Sequence, residues 1–449
     1  MDDNKLLATD VVAELKKQGA EACDVYISLS SSSKVNIRMG RIEKLAQSIN
    51  KGLGMRVFKN NATAITYTTD FTEKTIKSLI KEAMEIVTVS NADECNGLVP
   101  IELLGACDEQ LKIFDESIAQ ISPEEKINRV KEAEDVGLTY DKRITNSQGA
   151  SWTDDISQIT LANSNGFLGQ YQTSAASLSV SLLAEHLGVK QRDYWYSFSR
   201  FANTLISPKD VGEQAAQRTL RKLGGKKVKS QIVPVVVDPF VSRRLLGFLF
   251  NAANGSNIYR KSSYLVDKIN QQVISPLITI VDDSTIISGP ASRPFDGEGV
   301  KSARLVIFDK GVLKNYVCDS YSACRLKRKP TGNTSRNYKS HPSVSATNLY
   351  IKAGETTALD IVKSIKNGLY LTDLFPQGYN SITGHLSQGV SGFWIENGEI
   401  TYPVQEITLA GNLLSMFSKI TMVGDDLSFK LGGTVAPTIL ISEATVGGF

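Results

Sequence analysis

Histidine is almost missing from this chain: there are three in 449 residues, His186, His341 and His385. No two lie within one helical turn of each other. That excludes the helix-borne histidine pair with an intervening glutamate on which a zincin-type metallopeptidase depends. Cysteine is scarce as well, and the five present (Cys23, Cys95, Cys107, Cys318 and Cys324) are odd in number and scattered. They announce no disulfide framework, so free thiols in a reducing, cytoplasmic setting are expected. Long apolar runs are lacking. The most apolar stretches, 232–237 and 245–250, fall far short of the ~20 residues of a membrane helix. The opening MDDNKLLATDVVAELKKQ begins acidic and reads as an amphipathic helix, not as a signal peptide. Net charge is only +3, which gives no long-range pull towards phosphate, so neither nucleic acid nor membrane is an expected partner.

Familiar catalytic and nucleotide motifs are also missing. There is no Walker loop. Gly389-Val390-Ser391-Gly392 is one residue short of a G-x-S-x-G elbow and reads as a tight turn. Gly52-Leu53-Gly54 lacks the third glycine of a dinucleotide fingerprint and reads as a bend between strands.

What is present is a globular composition, 41% hydrophobic and 22% charged, at a length that implies two domains, with three as the alternative. Leu6, Val11, Val12 and Leu15 fall near one face of a first helix. Alternating β-branched runs separated by glycine and asparagine follow, and then a helix from about 72 to 87. The segment 90–111 loses periodicity. Ser122-Pro123 opens a third helix, strands with an Asn165-Gly166 turn follow, and a fourth helix runs from Ser207-Pro208 to Gly224-Gly225. Helix–strands–helix thus occurs twice, the pattern of an internal duplication. The glycines and lysines of 224–230 mark a boundary between an N-terminal domain, 1–225, and a C-terminal one, 226–449. A surface loop inside one large domain would give the same local signal. The second half reads as the strand QIVPVVVD, a helix from Pro239 to Ala253, a helix over 357–366, and hairpins turning at Asp309-Lys310-Gly311 and Asn397-Gly398. The expected class is α+β, with large antiparallel sheets and flanking helices.

The stretches ITIVDDSTIISGPASRPFDGEGVKS (279–302), PTGNTSR (330–336), SGFWIENGEITYPVQEITLAGNLL (391–414), MVGDDL (422–427) and ISEATVGG (441–448) resemble the TldD/PmbA family. GRIEKL (40–45) and GLGMRVF (52–58) extend the resemblance into the first half. Members have been described as modulators of DNA gyrase and as a metallopeptidase pair. TldD-type members carry a histidine–glutamate helix and a late cysteine that complete a zinc site; PmbA-type members, also called TldE, lack them. Counting back from VDD, the zinc helix should fall at about 246–251, where this chain reads LGFLFN. The late cysteine should fall in SFKLGGTVAPT (428–438), which has none. The resemblance therefore implies a PmbA-type subunit with no catalytic or metal residue and no cofactor of its own. Zinc is expected in a TldD-type partner, the substrate is expected to be unfolded peptide, and a homodimer can form in isolation. Members are linked to maturation of a peptide antibiotic precursor and to degradation of an antitoxin. The rival readings are a peptidase active alone through another site, and a binding module acting on gyrase or DNA.

Four groups of residues remain. The loop Ser292–Gly299, with Arg293, Asp296 and Glu298, suits contact with a partner or a peptide, or else a rigid turn held by an Arg–Asp pair. Arg325, Lys327 and Arg328 form the densest basic cluster, fit for an acidic peptide or for a solvated loop; gathered with Lys339 on one exposed face they would favour the gyrase or DNA reading. Cys318 and Cys324, near His341 in sequence and on a strand-like stretch, read as buried free thiols more readily than as a zinc site. Phe248, Leu249 and Phe250 are expected to fill, as packed core, the space that faces a cavity in the zinc-bearing branch.

Overall fold

The structure is a computed structural model that describes residues 3–107 and 110–449. The first half runs α1 (Asp3–Lys17), β1 (Ala22–Arg38), β2 (Arg41–Lys59), β3 (Ala62–Thr68), α2 (Glu73–Val89), α3 (Ser117–Gln120), α4 (Pro123–Thr139), β4 (Ile144–Asn163), β5 (Leu168–His186), β6 (Val189–Ser199) and α5 (Pro208–Arg221). The helices begin where the sequence signals it. Thr72, Ser122 and Ser207 each accept, through the side-chain oxygen, the N–H three residues on, and proline occupies the first turn of α4 and α5.

All six strands form one antiparallel sheet in the order β3-β2-β1-β4-β5-β6. The order is symmetric about the β1–β4 seam, so the two helix–strands–helix units meet back to back. Alternation along β1 divides the sheet faces. Cys23, Val25 and Ile27 lie in a core with α1 and α2, and Val35 and Ile37 in a core with α4 and α5. The opposite face, with Asp24 and Tyr26, meets the second half of the chain, where Tyr26, Leu161 and Phe295 form a small cluster.

The second half comprises β7 (Gln231–Val237), α6 (Pro239–Ala252), α7 (Gly255–Tyr259), β8 (Ile280–Asp283), β9 (Arg304–Asp309), β10 (Val312–Leu313), α8 (Ser320–Arg325), β11 (Thr334–Ser335), β12 (Ser343–Val344), β13 (Leu349–Ile351), α9 (Ala358–Lys363), β14 (Asn367–Leu374), β15 (His385–Glu396), β16 (Glu399–Asn412), α10 (Leu413–Ser418), β17 (Ile420–Val423), β18 (Thr434–Val435) and β19 (Ile439–Gly447). One sheet is ordered β16-β15-β14-β7-β19-β17, and an added β16–β19 pairing closes five of its strands into a ring. A second sheet is ordered β10-β9-β8-β13-β18. The expected hairpin turns carry the left-handed residues they need: Lys310 and Gly311 have φ of 46° and 78°, Asn397 and Gly398 of 51° and 81°. No helix among the described residues is long and apolar enough to cross a membrane.

Three local expectations are corrected. Residues 389–392 are not a turn but lie inside β15; a Cβ on Gly392 would come within 2.1 Å of the Tyr370 carbonyl oxygen, so the glycine serves close strand packing. The stretch from Cys318 to Cys324 is not a strand, because Asp319 caps α8 by accepting the Ser322 N–H. Gly52 and Gly54 are not a bend between strands but lie within β2, paired with Ser28 and Tyr26 of β1 and on the same face as they are. The segment around Tyr338 rests directly on them, and a Cβ on Gly54 would sit 1.9 Å from the Tyr338 carbonyl oxygen.

That close approach yields a prediction. Gly54→Ala forces backbone against backbone, and we expect a loss of about 1–3 kcal/mol. It would appear as a lower urea midpoint with an unchanged slope. A variant as stable as the parent contradicts the packing.

Candidate functional site

The helix that should carry the zinc ligands is α6. Pro239 starts it and Asp238 caps it by accepting the Phe240 N–H at 2.8 Å. Leu245, Leu246 and Leu249 are fully buried in the main core of the second half. Phe248 stacks on Tyr379 with ring centroids 4.0 Å apart, and the Tyr379 and Tyr264 hydroxyls are 3.1 Å apart. Asn251 is exposed, its side-chain oxygen accepting from Asn257. The hydrocarbon side chains of 246–250 do not fit a zinc ion; of the three expected to fill the core, Leu249 is buried in it, and Phe248 and Phe250 are half-buried against it. Among the described residues no group of three or more His, Cys, Asp or Glu side chains comes together as a metal site. His186 ends β5 and His385 begins β15.

The thiol expectation is corrected at Cys324, which forms a disulfide with Cys95, 229 residues away in sequence. Cys318 is a buried free thiol, and burial pushes it up to about 12. The aperiodic segment after α2 crosses onto the second half of the chain, a long-range contact that local pattern does not encode. There Asp93 accepts the Tyr321 hydroxyl at 2.9 Å and pairs with Arg325.

Beside this staple, between the two halves, lies a cleft of ≈ 470 Å³ lined by Arg56, Arg260, Glu298, Ser320, Tyr321 and His341 among others. Its floor is ionic and buried. Arg56 on β2 pairs with its cross-strand neighbour Asp24 at 2.5 Å and with Glu298 at 3.4 Å. Asp24 also receives Arg336 at 2.9 Å. Glu298 accepts the Ser320 N–H at 2.9 Å and its hydroxyl at 2.5 Å, and the Thr334 hydroxyl at 3.2 Å. Burial alone would raise Asp24, but Arg336 and Arg56 outweigh it and hold the carboxyl below its usual range. At Glu298 burial wins, with Asp296 adding to it and Arg56 opposing, so this carboxyl is pushed up. His341 at the rim is pushed down by burial and by the Arg56 and Arg336 charges.

The expected contact residues take distinct places. Asp296 is 2% exposed and Glu298 3%, so neither projects to meet a partner, although Glu298 reaches the cleft floor. Asp296 accepts the N–H groups of Glu298, Val300 and Thr334 at 2.8, 2.9 and 3.0 Å. The loop is thus a rigid turn held by backbone donors, with Arg293 acting on Asp296 through its charge. Strand-like bonds from Gly105 to Gly299, Lys301 to Leu103 and Cys107 to Pro294 clamp it from outside. Arg325 is taken up by Asp93 and Tyr321. Lys327 is exposed beyond α8 with φ of 51°. Arg328 lies 5.2 Å over the Tyr316 ring, and Lys339 sits against Tyr67 and Tyr338. Arg325, Arg328 and Lys339 lie against different side chains, which argues against a single phosphate-binding face. Sequence reasoning missed Asp24, Arg56 and Ser320; the available signal was a charge inside each of two apolar strand runs.

The motif stretches 281–283 and 332–335 meet at Asp282. This buried carboxylate accepts the Thr347 N–H and hydroxyl at 2.8 and 2.7 Å and pairs with the Asn333 amide.

Comparison with known proteins accounts for this frame. Three family models match, described as PmbA/TldA metallopeptidase domain 1 (residues 23–87), central domain (116–223) and C-terminal domain (230–448). A Metalloprotease PmbA from Escherichia coli O157:H7 is 33% identical over 442 residues, covering 98% of this chain and 95% of its own. The chain belongs to the PmbA/TldD metallopeptidase family. A Metalloprotease TldD homolog from Haemophilus influenzae is 26% identical over 97% of this chain and 94% of its own. Among solved structures, a Bacteroides thetaiotaomicron protein described with the modulators of DNA gyrase superposes with a TM-score of 0.92, 29% identity and full coverage of both chains. TldE from Thermococcus kodakarensis shares the fold of this PmbA/TldD chain, with a TM-score of 0.88 at 18% identity over 98% of this chain and 100% of its own.

Asp282 offers a pH test of the frame. Burial pushes it up to about 6 against its two Thr347 bonds, whereas an unfolded aspartate titrates near 3.9. The folded chain therefore keeps a proton that the unfolded chain has released. This contribution to stability is full below about pH 4 and is lost as pH rises through about 6. Asp282→Asn should flatten that decline in urea midpoints measured from pH 4 to 7. Parallel profiles for parent and variant would contradict the assignment.

Proposed function

We propose that this chain is the PmbA-type, zinc-free subunit of a two-chain metallopeptidase that acts on unfolded peptides, with zinc held by a TldD-type partner. One observation carries the reading. At the place where the family pattern calls for a histidine pair, α6 presents Leu246, Phe248 and Leu249 to a packed core, while the carboxylates of Asp282 and Asp296 in the surrounding motif stretches are held by backbone and side-chain donors. A helix packed in this way is a scaffold element. The resemblance of PmbA-type to TldD-type chains over nearly their whole length supports pairing of like with like. The cleft beside Glu298 and His341 has a volume of ≈ 470 Å³, and Arg56 on its floor is already paired with Asp24 and Glu298. It therefore offers shape and backbone partners more than charge selection.

The test is co-expression with a TldD-type chain, followed by peptidase assay of each chain alone and of the mixture on an unfolded peptide. We expect co-purification, no turnover by this chain alone, and activity in the mixture well above that of the zinc-bearing chain by itself. Chelator-sensitive turnover by this chain alone, or a mixture no more active than the partner, overturns the reading.

A further inference from the structure

The Cys95–Cys324 bond is the only disulfide among the described residues, and it crosses the mouth of the cleft. Cys95, Asn96 and Gly97 line one wall; Asp319, Ser320 and Tyr321 line the other. Each wall is anchored to its own half of the chain. The Asp93 N–H donates to the Asn61 carbonyl, between β2 and β3, at 2.8 Å, and the Asn96 amide reaches the same oxygen at 2.9 Å. On the other side Ser320 is bound to Glu298, and the Tyr321 ring meets Tyr259 edge-on at 5.8 Å. Besides the disulfide, the walls meet at the Asp93 carboxylate, which accepts the Tyr321 hydroxyl and pairs with Arg325. An ion pair in contact with solvent holds little by itself. The two sulfurs are unequal. Cys95 is 8% exposed, whereas Cys324 is exposed. Cys324 is followed by Arg325-Leu326-Lys327-Arg328-Lys329, without an acid. Arg325 is taken up by Asp93, but Lys327, Arg328 and Lys329 are exposed, and the Lys327 N–H donates to the Cys324 carbonyl at 3.0 Å.

We propose that Cys324 is a site of reversible thiol exchange, at which a small anionic thiol opens the bond to Cys95 and with it the mouth of the cleft. The thiolate attacks the Cys324 Sγ, because that sulfur is the accessible one. A mixed disulfide forms between the small thiol and Cys324 as the Cys324–Cys95 bond breaks. The electron pair leaves on the Cys95 Sγ, which takes a proton from solvent. One disulfide replaces another, so the step needs no further oxidant or reductant. In reverse, the Cys95 thiolate attacks Cys324 and expels the small thiol. Lys327, Arg328 and Lys329 favour an anionic attacker by drawing it towards Cys324. Cys318, before the start of α8, does not compete, since burial pushes its thiol up to about 12. Once the bond is open, residues 93–96 stay with Asn61 and α8 stays with Glu298, so the walls part between them. An exposed bond of this kind is labile where a buried one is structural. The proposal concerns the mouth of the cleft and holds whatever the cleft binds.

The experiment uses the purified full chain, with 2-mercaptoethanesulfonate as the anionic thiol and cysteamine as the cationic one, at equal thiolate concentration and low salt. After an acid quench, peptide mass mapping should find the sulfonate thiol on Cys324 and Cys95 as a thiol. Exchange with the sulfonate should run at least about threefold faster than with cysteamine, and high salt should narrow that margin. Lys327→Glu combined with Lys329→Glu should erase it. Amide hydrogen exchange over 90–97 and 320–325 should quicken about tenfold or more once the bond is open, with the six-stranded sheet unchanged. Dialysis into thiol-free buffer should restore the slow pattern, and Cys95→Ser should show the fast one without any thiol. The parent chain alone carries the test if that variant does not fold. A bond that resists both thiols in the folded chain overturns the proposal. So does an adduct on Cys95, a cationic thiol that is at least as fast, or hydrogen exchange that opening the bond leaves unchanged.

Discussion

Arg56 carries a full positive charge at a position 5% exposed, and the way that charge is met determines how the two halves of the chain sit together. One carboxylate comes from the neighbouring strand (Asp24) and another from the loop that opens the second half's motif region (Glu298). Arg336, from a third segment, balances the remaining charge on Asp24. Removing one member of such a set leaves a buried charge uncompensated, at a cost of about 3–5 kcal/mol. The glycines at 52 and 54 fit the same logic, since they let the Tyr338 segment lie on the strand and bring Arg336 into reach of Asp24.

A polar frame of this kind contrasts with the helix beside it. Around Asp282 and Asp296 the buried carboxylates are held by backbone and hydroxyl donors, which fixes the loops that carry them. On α6 the space is closed with leucine and phenylalanine. The two halves of the chain leave a cleft between them, lined by Arg56 and Glu298. The staple between Cys95 and Cys324 and the Asp93–Arg325 pair hold the crossing segment at the mouth of that cleft.

Much of the fold was legible in the sequence because its signals are local. Serine and threonine caps followed by proline, period-two runs, and the Lys310-Gly311 and Asn397-Gly398 turns each act within a few residues. The duplicated helix–strands–helix pattern became the symmetric six-stranded sheet. The filled α6 was legible for a different reason: a side chain's inability to bind metal is fixed by its own chemistry. What was not legible depends on contacts far apart in sequence. Cys95 and Cys324 are joined only because the segment after α2 crosses to α8. Gly52, Gly54 and Gly392 look like turns until the Tyr338 ring is seen against the first and a second backbone against the other two. Asp24 and Arg56 could have been flagged as charges within apolar strands, but their partners Arg336 and Glu298 come from distant loops. The exposed look of SRPFDGEG in sequence was misleading for the same reason, since acids and glycines suit a solvated loop and a buried, backbone-bonded turn equally well.

The central claim is that buried charge couples the first sheet to the second half, and a double-mutant cycle on Asp24 and Arg336, 2.9 Å apart, tests it most directly. Unfolding free energies of the parent, Asp24→Asn, Arg336→Met and the double variant would give the coupling. We predict an interaction energy of at least about 1.5 kcal/mol, with the double variant less destabilised than the sum of the singles. Additivity within about 0.5 kcal/mol would contradict the account.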